Sequence, residues 1–230
     1  MNGQKFITSW SGGKDSCYAM ILACNTGAEP VGLLSMMEEN DDYSRSHRLS
    51  SSLLSAQAER LNLPLFFGHA AWKGYEEEYI KQLIKARNQT GANAVVFGDI
   101  DLQGHRDWAE RICSLPEVTM QPLFPLWESE RRIIVERMIK AGQKAMIVSC
   151  NSGLGKSFLG RTLDKQTLTD IENAGADVCG EHGEYHTFVF DCERFSSPVA
   201  IHLGECHKVL LETPSSTSDH YWYIDVAPTA

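Results

Sequence analysis

The sequence predicts an α/β fold: a doubly wound, mostly parallel sheet over residues 1–130, then a smaller mixed α+β domain over residues 131–230. Three observations predict it. Short apolar runs alternate with helical patterns from Lys5 to Phe97. A glycine-rich turn joins the first run to the first helix. The regular alternation ends between residues 127 and 150, and the domain boundary is expected there.

Lys5 to Trp10 reads as the first strand, and Ser9-Trp10-Ser11-Gly12-Gly13-Lys14-Asp15-Ser16 follows it into a helix. This stretch reads as a phosphate cradle. Two glycines let backbone N–H groups approach an anion, and the helix starting near Lys14 adds unpaired amides and the positive end of its dipole. Ser11, Ser16 and Lys14 add hydroxyls and a charge. Gly27 ends that helix, and Val31 to Met37 is a second strand, which completes a right-handed βαβ unit. A ligand is therefore expected at the carboxyl ends of these strands.

Glu38 to His47 is polar and turn-rich, a candidate lid. His47 and Arg48 either reach a phosphate or adenine from it or are solvated loop residues. A helix over Leu49–Leu61, a strand over Pro64–Gly68 and a helix over Tyr75–Arg87 follow. Tyr75 and Tyr79 share a stripe with Ile80, Leu83 and Ile84 and read as core. Ala94 to Phe97 is another buried strand, and Gly98-Asp99-Ile100 stands at its carboxyl end. Gly98 there allows a ligand close to the backbone. Asp99 either holds Mg²⁺ or a substrate donor, or caps the next helix. His105, Arg106 and Asp107 open that helix and are expected to face the same cleft.

Met120 to Trp127 is extended, because two prolines forbid a helix, and Ser129 is expected to cap a helix that runs to Lys140. Lys144 to Cys150 is a strand. The stretch Asn151 to Ser157 mimics the end of a Walker A loop but lacks its opening glycine, since Cys150 stands there. A helix over Thr167–Ala174 precedes Gly180-Glu181-His182-Gly183-Glu184-Tyr185-His186-Thr187 and a strand from Phe188 to Asp191. Three further strands, Val199–Leu203, Lys208–Leu211 and Tyr221–Val226, are expected, with a Ser/Thr-rich turn before the last.

Composition narrows the function. The formal net charge of −9 argues against a constitutive nucleic-acid binder. No apolar run is long enough to span a bilayer, and the first residues show no leader pattern. Seven cysteines at irregular spacing, without a Cys-x-x-Cys, fit free thiols and a cytoplasmic location. Histidines and cysteines between 179 and 207 do not fall into a zinc spacing.

The word Ser-Gly-Gly-Lys-Asp-Ser at 11–16 fits neither the Walker A nor the dinucleotide spacing. It resembles the pyrophosphate loop of the N-type ATP pyrophosphatases. Together with Gly98-Asp99-Ile100, the Pro122–Trp127 segment and the stretch at 180–187, it resembles the diphthine–ammonia ligase family and related bacterial ATP-binding proteins. The likeness spans nearly the whole chain. It implies a Rossmann-like domain of the adenine nucleotide alpha hydrolase type, with ATP and Mg²⁺ as cofactors. The implied chemistry adenylates a carboxylate, releases pyrophosphate, and lets ammonia displace AMP. The acceptor is a protein side chain or a small acid. A homodimer is left open.

Carried onto this sequence, the resemblance places ATP on Ser9, Trp10, Ser11, Gly12, Gly13, Lys14, Asp15 and Ser16, with Gly98 and Asp99 beside it and Mg²⁺ on Asp99. It makes Lys14, Asp15, Glu181 and Glu184 the catalytic candidates. His47, His182, Gly183, Tyr185 and His186 are the substrate-side candidates, with His182 or His186 a base near neutral pH. The family reads Glu-Gly-Gly-Glu-Tyr-Glu-Thr where this chain has His182 and His186, and both departures bear on the acceptor. An ATP-binding module without turnover and a tRNA-modifying enzyme are the alternatives.

Overall fold

The computed structural model describes residues 3–45, 47–213 and 216–229. From the N-terminus, β1 (Lys5–Ser9), α1 (Lys14–Asn25), β2 (Glu29–Met37), α2 (Ser51–Leu61), β3 (Leu65–His69), α3 (Tyr75–Thr90), β4 (Ala94–Val96), α4 (Gln103–Cys113) and β5 (Gln121–Leu123) alternate as the apolar pattern requires. They build a five-stranded parallel sheet in the order β3-β2-β1-β4-β5. Winding reverses between β1 and β4, which opens a crevice at their carboxyl ends. Pro122 is tolerated because β5 is an edge strand.

The remaining elements, α5 (Arg131–Lys140), β6 (Lys144–Asn151), α6 (Lys165–Asn173), β7 (Tyr185–Asp191), β8 (Ile201–Thr213) and β9 (Ser216–Pro228), form an antiparallel sheet ordered β7-β6-β9-β8. Several local expectations change here. Glu130, not Ser129, precedes α5, and it makes no capping bond. Two of the expected strands merge into β8, which absorbs its irregularity as a shift between Leu203 and Cys206. The Ser/Thr-rich turn expected between Leu211 and Tyr221 is shorter, since β8 runs to Thr213 and β9 begins at Ser216, and Pro214 and Ser215 lie outside the described residues. The Walker-like stretch closes on itself, with Asn151 accepting from the N–H groups of Leu154 and Gly155. Among the described residues, no helix is long and apolar enough to cross a membrane.

Of two apolar clusters among the described residues, one lies between the parallel sheet and α3 and α4, and the other runs through both sheets. Helix α1 explains how: it touches β1, β2 and β4 on one side and β7 on the other, so Cys17, Ala19, Met20 and Ile21 are all buried. A helix buried on most sides needs no single apolar stripe. This position also brings β7 onto the loop that precedes α1.

That contact is polar as well as apolar. The fully buried Gln57 of α2 accepts from Trp10 Nε1 at 2.9 Å and donates to Gly12 O at 2.9 Å and Val189 O at 2.7 Å. Val189 N–H donates to Gly12 O at 2.9 Å, and Lys14 N–H to Thr187 Oγ1 at 3.0 Å. Gln143 Nε2 donates to Lys14 O at 2.9 Å. His47 Nδ1 is 2.8 Å from Thr187 O, so the ring donates there, and its face lies 4.7 Å from the ring of His186.

Two outcomes follow from this clamp. Gln57→Leu strands one donor and one buried carbonyl, Val189 O, and should lower stability by about 2–4 kcal/mol in urea titrations. A loss below about 0.5 kcal/mol would show that the amide is dispensable. Burial, with the Lys14 charge, outweighs the Thr187 bond and pushes His47 down from 6.5 to about 4. The unfolded chain therefore takes up the proton first. Stability present above pH 6.5 should be lost as pH falls toward 4, and His47→Gln should flatten that limb. A parent-minus-variant difference in urea midpoint that stays level or rises as pH falls over the same interval contradicts this assignment.

Candidate active site

The loop at 9–16 is shaped by its own serines. Ser11 Oγ accepts from Gly13 N–H at 3.2 Å, Ser16 Oγ donates to Gly13 O at 3.2 Å, and the two hydroxyls meet at 3.1 Å. Gly12 has φ +79°, and a Cβ there would strike Leu54, Leu49 and Gln57 at 2.7–2.9 Å. Gly13 has an extended backbone, and its reason is contact: a Cβ would come within 2.3 Å of the His47 ring. The first turn of α1 leaves helical N–H groups without helical partners beside this loop, a ready anion site.

Gly98 lies beside the loop, and its missing Cβ admits protein rather than ligand. A Cβ would meet Ser16 N at 2.8 Å and the Asp15 carbonyl carbon at 2.9 Å, so glycine lets β4 approach α1. Asp99 follows it on the crevice wall, where Oδ1 bonds His105 Nδ1 at 3.0 Å. That bond holds the His105 imidazolium above its ordinary range. The carboxylate oxygens of Asp99 are hard donors suited to Mg²⁺ beside a phosphate.

Above the loop, at the carboxyl ends of β1, β2 and β4, opens a cavity of about 450 Å³. Ser9, Trp10, Ser11 and Asp99 form its polar side, and Trp72, Tyr75, Tyr79, Phe97 and Trp108 give it aromatic walls. Their flat apolar faces suit a nucleobase. Arg45 stacks over Trp72 at 4.3 Å, donates to Ala70 O at 2.8 Å and pairs with Glu38 at 3.0 Å, which fixes its side chain in the cavity lining. His47 lines the same cavity. The sequence reading missed Trp72 and Trp108 and placed Tyr75 and Tyr79 in the core. Tyr79 is both, since it is 2 % exposed and still borders the space.

Lys14 points elsewhere. It is 4 % exposed, pairs with Asp15 Oδ2 at 2.7 Å and stands 5.5 Å from the centre of the Tyr185 ring. Burial works against its charge, but Asp15, with Tyr185, Cys179 and Glu181 acting in the same direction, more than offsets this and keeps the ammonium protonated. The stretch at 180–187 closes over this pair. Gly180 (φ +71°) and Gly183 (φ +81°) make a tight turn, with Gly183 N–H on Gly180 O at 3.0 Å, that presents Glu181. Burial and the Asp15 charge push the Glu181 carboxyl up to about 7.

The other residues of that stretch hold structure. Glu184 accepts from the N–H groups of Asp177 at 3.1 Å and His182 at 3.0 Å. Tyr185 is buried and donates its hydroxyl to Val178 O. Gly183 O accepts from Tyr221 at 2.7 Å. His182 is exposed, 3.4 Å from Arg131 and clear of the cavity lining. His186 sits beside His47, and burial together with the charges of His47 and Lys14 holds it well below the usual imidazole range. It is therefore a poor base at neutral pH, contrary to the expectation from sequence. Asp177, His182 and Glu184 gather their ligand atoms within 4.8 Å, but Arg131 (2.6 Å from Asp177) and backbone amides already engage that corner.

Comparison with known proteins identifies the family. The model of the diphthamide synthase N-terminal domain matches residues 4–121, and that of its C-terminal domain matches residues 130–215. Diphthine–ammonia ligase of Homo sapiens is 28 % identical over 222 residues, 85 % of this chain and 82 % of that one. The Danio rerio protein of the same name is 28 % identical over 223 residues, 85 % of each chain. The one from Schizosaccharomyces pombe is 26 % identical over 213 residues, 83 % of this chain and 35 % of that one. A solved structure of a predicted tRNA methyltransferase subunit from Methanocaldococcus jannaschii overlays with a TM-score of 0.42 at 13 % identity, over 83 % of this chain and 98 % of that one, too distant to bear on function. With both domain models matched in order across the two sheets, the chain belongs to the diphthamide synthase family.

Proposed function

We propose that this protein is an ATP-dependent, AMP-forming ligase that adenylates a carboxylate and amidates it with ammonia, the partners named in its relatives. One observation carries the reading. The phosphate loop and the aromatic cavity meet at the switch point of the parallel sheet, and the stretch at 180–187 packs on the same loop from β7. Adenine occupies the aromatic walls, and the triphosphate runs along Ser9–Gly13 to the first turn of α1. Loop amides and the helix end stabilise charge on the departing pyrophosphate. Mg²⁺ on Asp99 supplies charge neutralisation when bound.

The departures from the family's 181–187 pattern leave this route open. His182 is outside the cavity, and His186 packs beside His47 rather than into the space a substrate needs. That favours turnover over a binding module that has lost it. The acidic net charge speaks against tRNA as the acceptor. The acceptor is a carboxylate, either diphthine or another acid that reaches the loop edge.

Incubation with ATP, Mg²⁺, ammonium chloride and diphthine should yield AMP, pyrophosphate and an amide in equal amounts. ADP with phosphate, or ATP left unchanged both with diphthine and with a pool of other carboxylic acids, contradicts the ligase. Asp99→Asn should weaken Mg-ATP binding about tenfold in calorimetry while ATP in excess chelator binds nearly as before. Equal affinities for Mg-ATP in variant and parent would remove Asp99 from the metal's shell.

A further inference from the structure

The second sheet brings one carboxylate to the edge of the phosphate loop, and adenylation as described leaves it unused. Glu181 stands at the tip of the Gly180–Gly183 turn, its own N–H held by Asp177 Oδ2 at 3.2 Å. It is half-buried, and the groups that act on its carboxyl are Lys14 and Asp15 from α1, Asp101 and His105 from around the start of α4 and Arg131 from α5, with the neutral Cys179 thiol on its own segment. Asp15 gives Lys14 only one oxygen. Its other oxygen, Oδ1, is buried and has no hydrogen-bond partner among the described residues. A buried carboxylate oxygen without a donor is costly, so the place favours a small group rich in N–H bonds.

The second half-reaction supplies such a group. Near pH 7 the nitrogen donor is almost entirely ammonium, which has no lone pair. The acyl carbon is two bonds from the α-phosphorus, so the nucleophile must lose its proton close to the loop. Resting on the ligase reading, we propose that Glu181 is the proton acceptor for ammonium, which binds between its carboxylate and Asp15 Oδ1. One N–H proton passes to Glu181, and the freed lone pair forms the C–N bond. The bond from the acyl carbon to the phosphate oxygen breaks, and a second N–H proton leaves on the phosphate of AMP. Solvent then takes the proton from Glu181. A carboxyl that titrates near neutral pH can accept and release a proton in each cycle.

The test follows the Glu181 carboxyl by carbon-13 NMR in protein labelled at glutamate, with Glu181→Gln assigning the resonance. In sodium chloride its midpoint should lie near 7. In ammonium chloride of equal concentration the midpoint should fall by about half a unit or more, because a bound cation favours the carboxylate. Identical midpoints in the two salts overturn the assignment, and so does an equal fall with magnesium chloride. In the amide-forming assay, Glu181→Gln should lose about 30-fold or more with ammonium and less than about threefold with hydroxylamine, which is neutral at that pH. Equal losses with both nucleophiles would make Glu181 merely structural. The NMR measurement requires no turnover, so its failure strikes the ammonium assignment, whereas missing AMP and pyrophosphate strike the ligase reading.

Discussion

A single buried amide ties this molecule together. Gln57 lies on neither the phosphate loop nor β7, yet it bonds Trp10 and Gly12 of the one and Val189 of the other. Inside a protein such bonds are strengthened by the low dielectric, and each partner left alone would carry a desolvation cost. The loop is thereby pre-shaped, with Gly12 at positive φ and its carbonyl occupied by two donors. A preorganised cradle need not reorganise when charge develops on its ligand.

The same contact decides the electrostatics on the two sides of the loop. On the cavity side stand hydroxyls, amides and Asp99 among aromatic rings. On the β7 side, Lys14 and Asp15 are enclosed beneath Tyr185 and next to Glu181. Enclosure makes each charge strongly felt by the next: Lys14 stays protonated, Glu181 rises to about 7, and the adjacent His47 and His186 are held neutral. The lysine lies beneath Tyr185 and pairs with Asp15, and it does not line the cavity.

The parallel sheet was legible because its signals are local. Each strand is a short apolar run, each helix begins and ends at glycine or polar residues, and the glycine pair marks the first crossing. The Gly98–Asp99 strand end was legible in position, but the reason for its glycine was not, since α1 packs there from many residues away. Tyr75 and Tyr79 carried a core pattern, and only folding shows that Trp72 and Trp108 meet them to wall a cavity. Gln57 gave no signal at all, being one polar residue in an ordinary helix. In the second sheet, the merger of two expected strands into β8 depends on long-range pairing with β9, which no local pattern encodes.

The central claim is that one nucleotide spans the aromatic cavity and the loop. It is tested most directly by a crystal structure with Mg²⁺ and an ATP analogue whose α and β phosphates are joined by a methylene group. The account predicts adenine between Trp72, Tyr75 and Trp108, with the β-phosphate against the backbone N–H groups at the start of α1. Phosphates bound away from Ser11–Gly13, or a cavity filled by something other than the base, would contradict it.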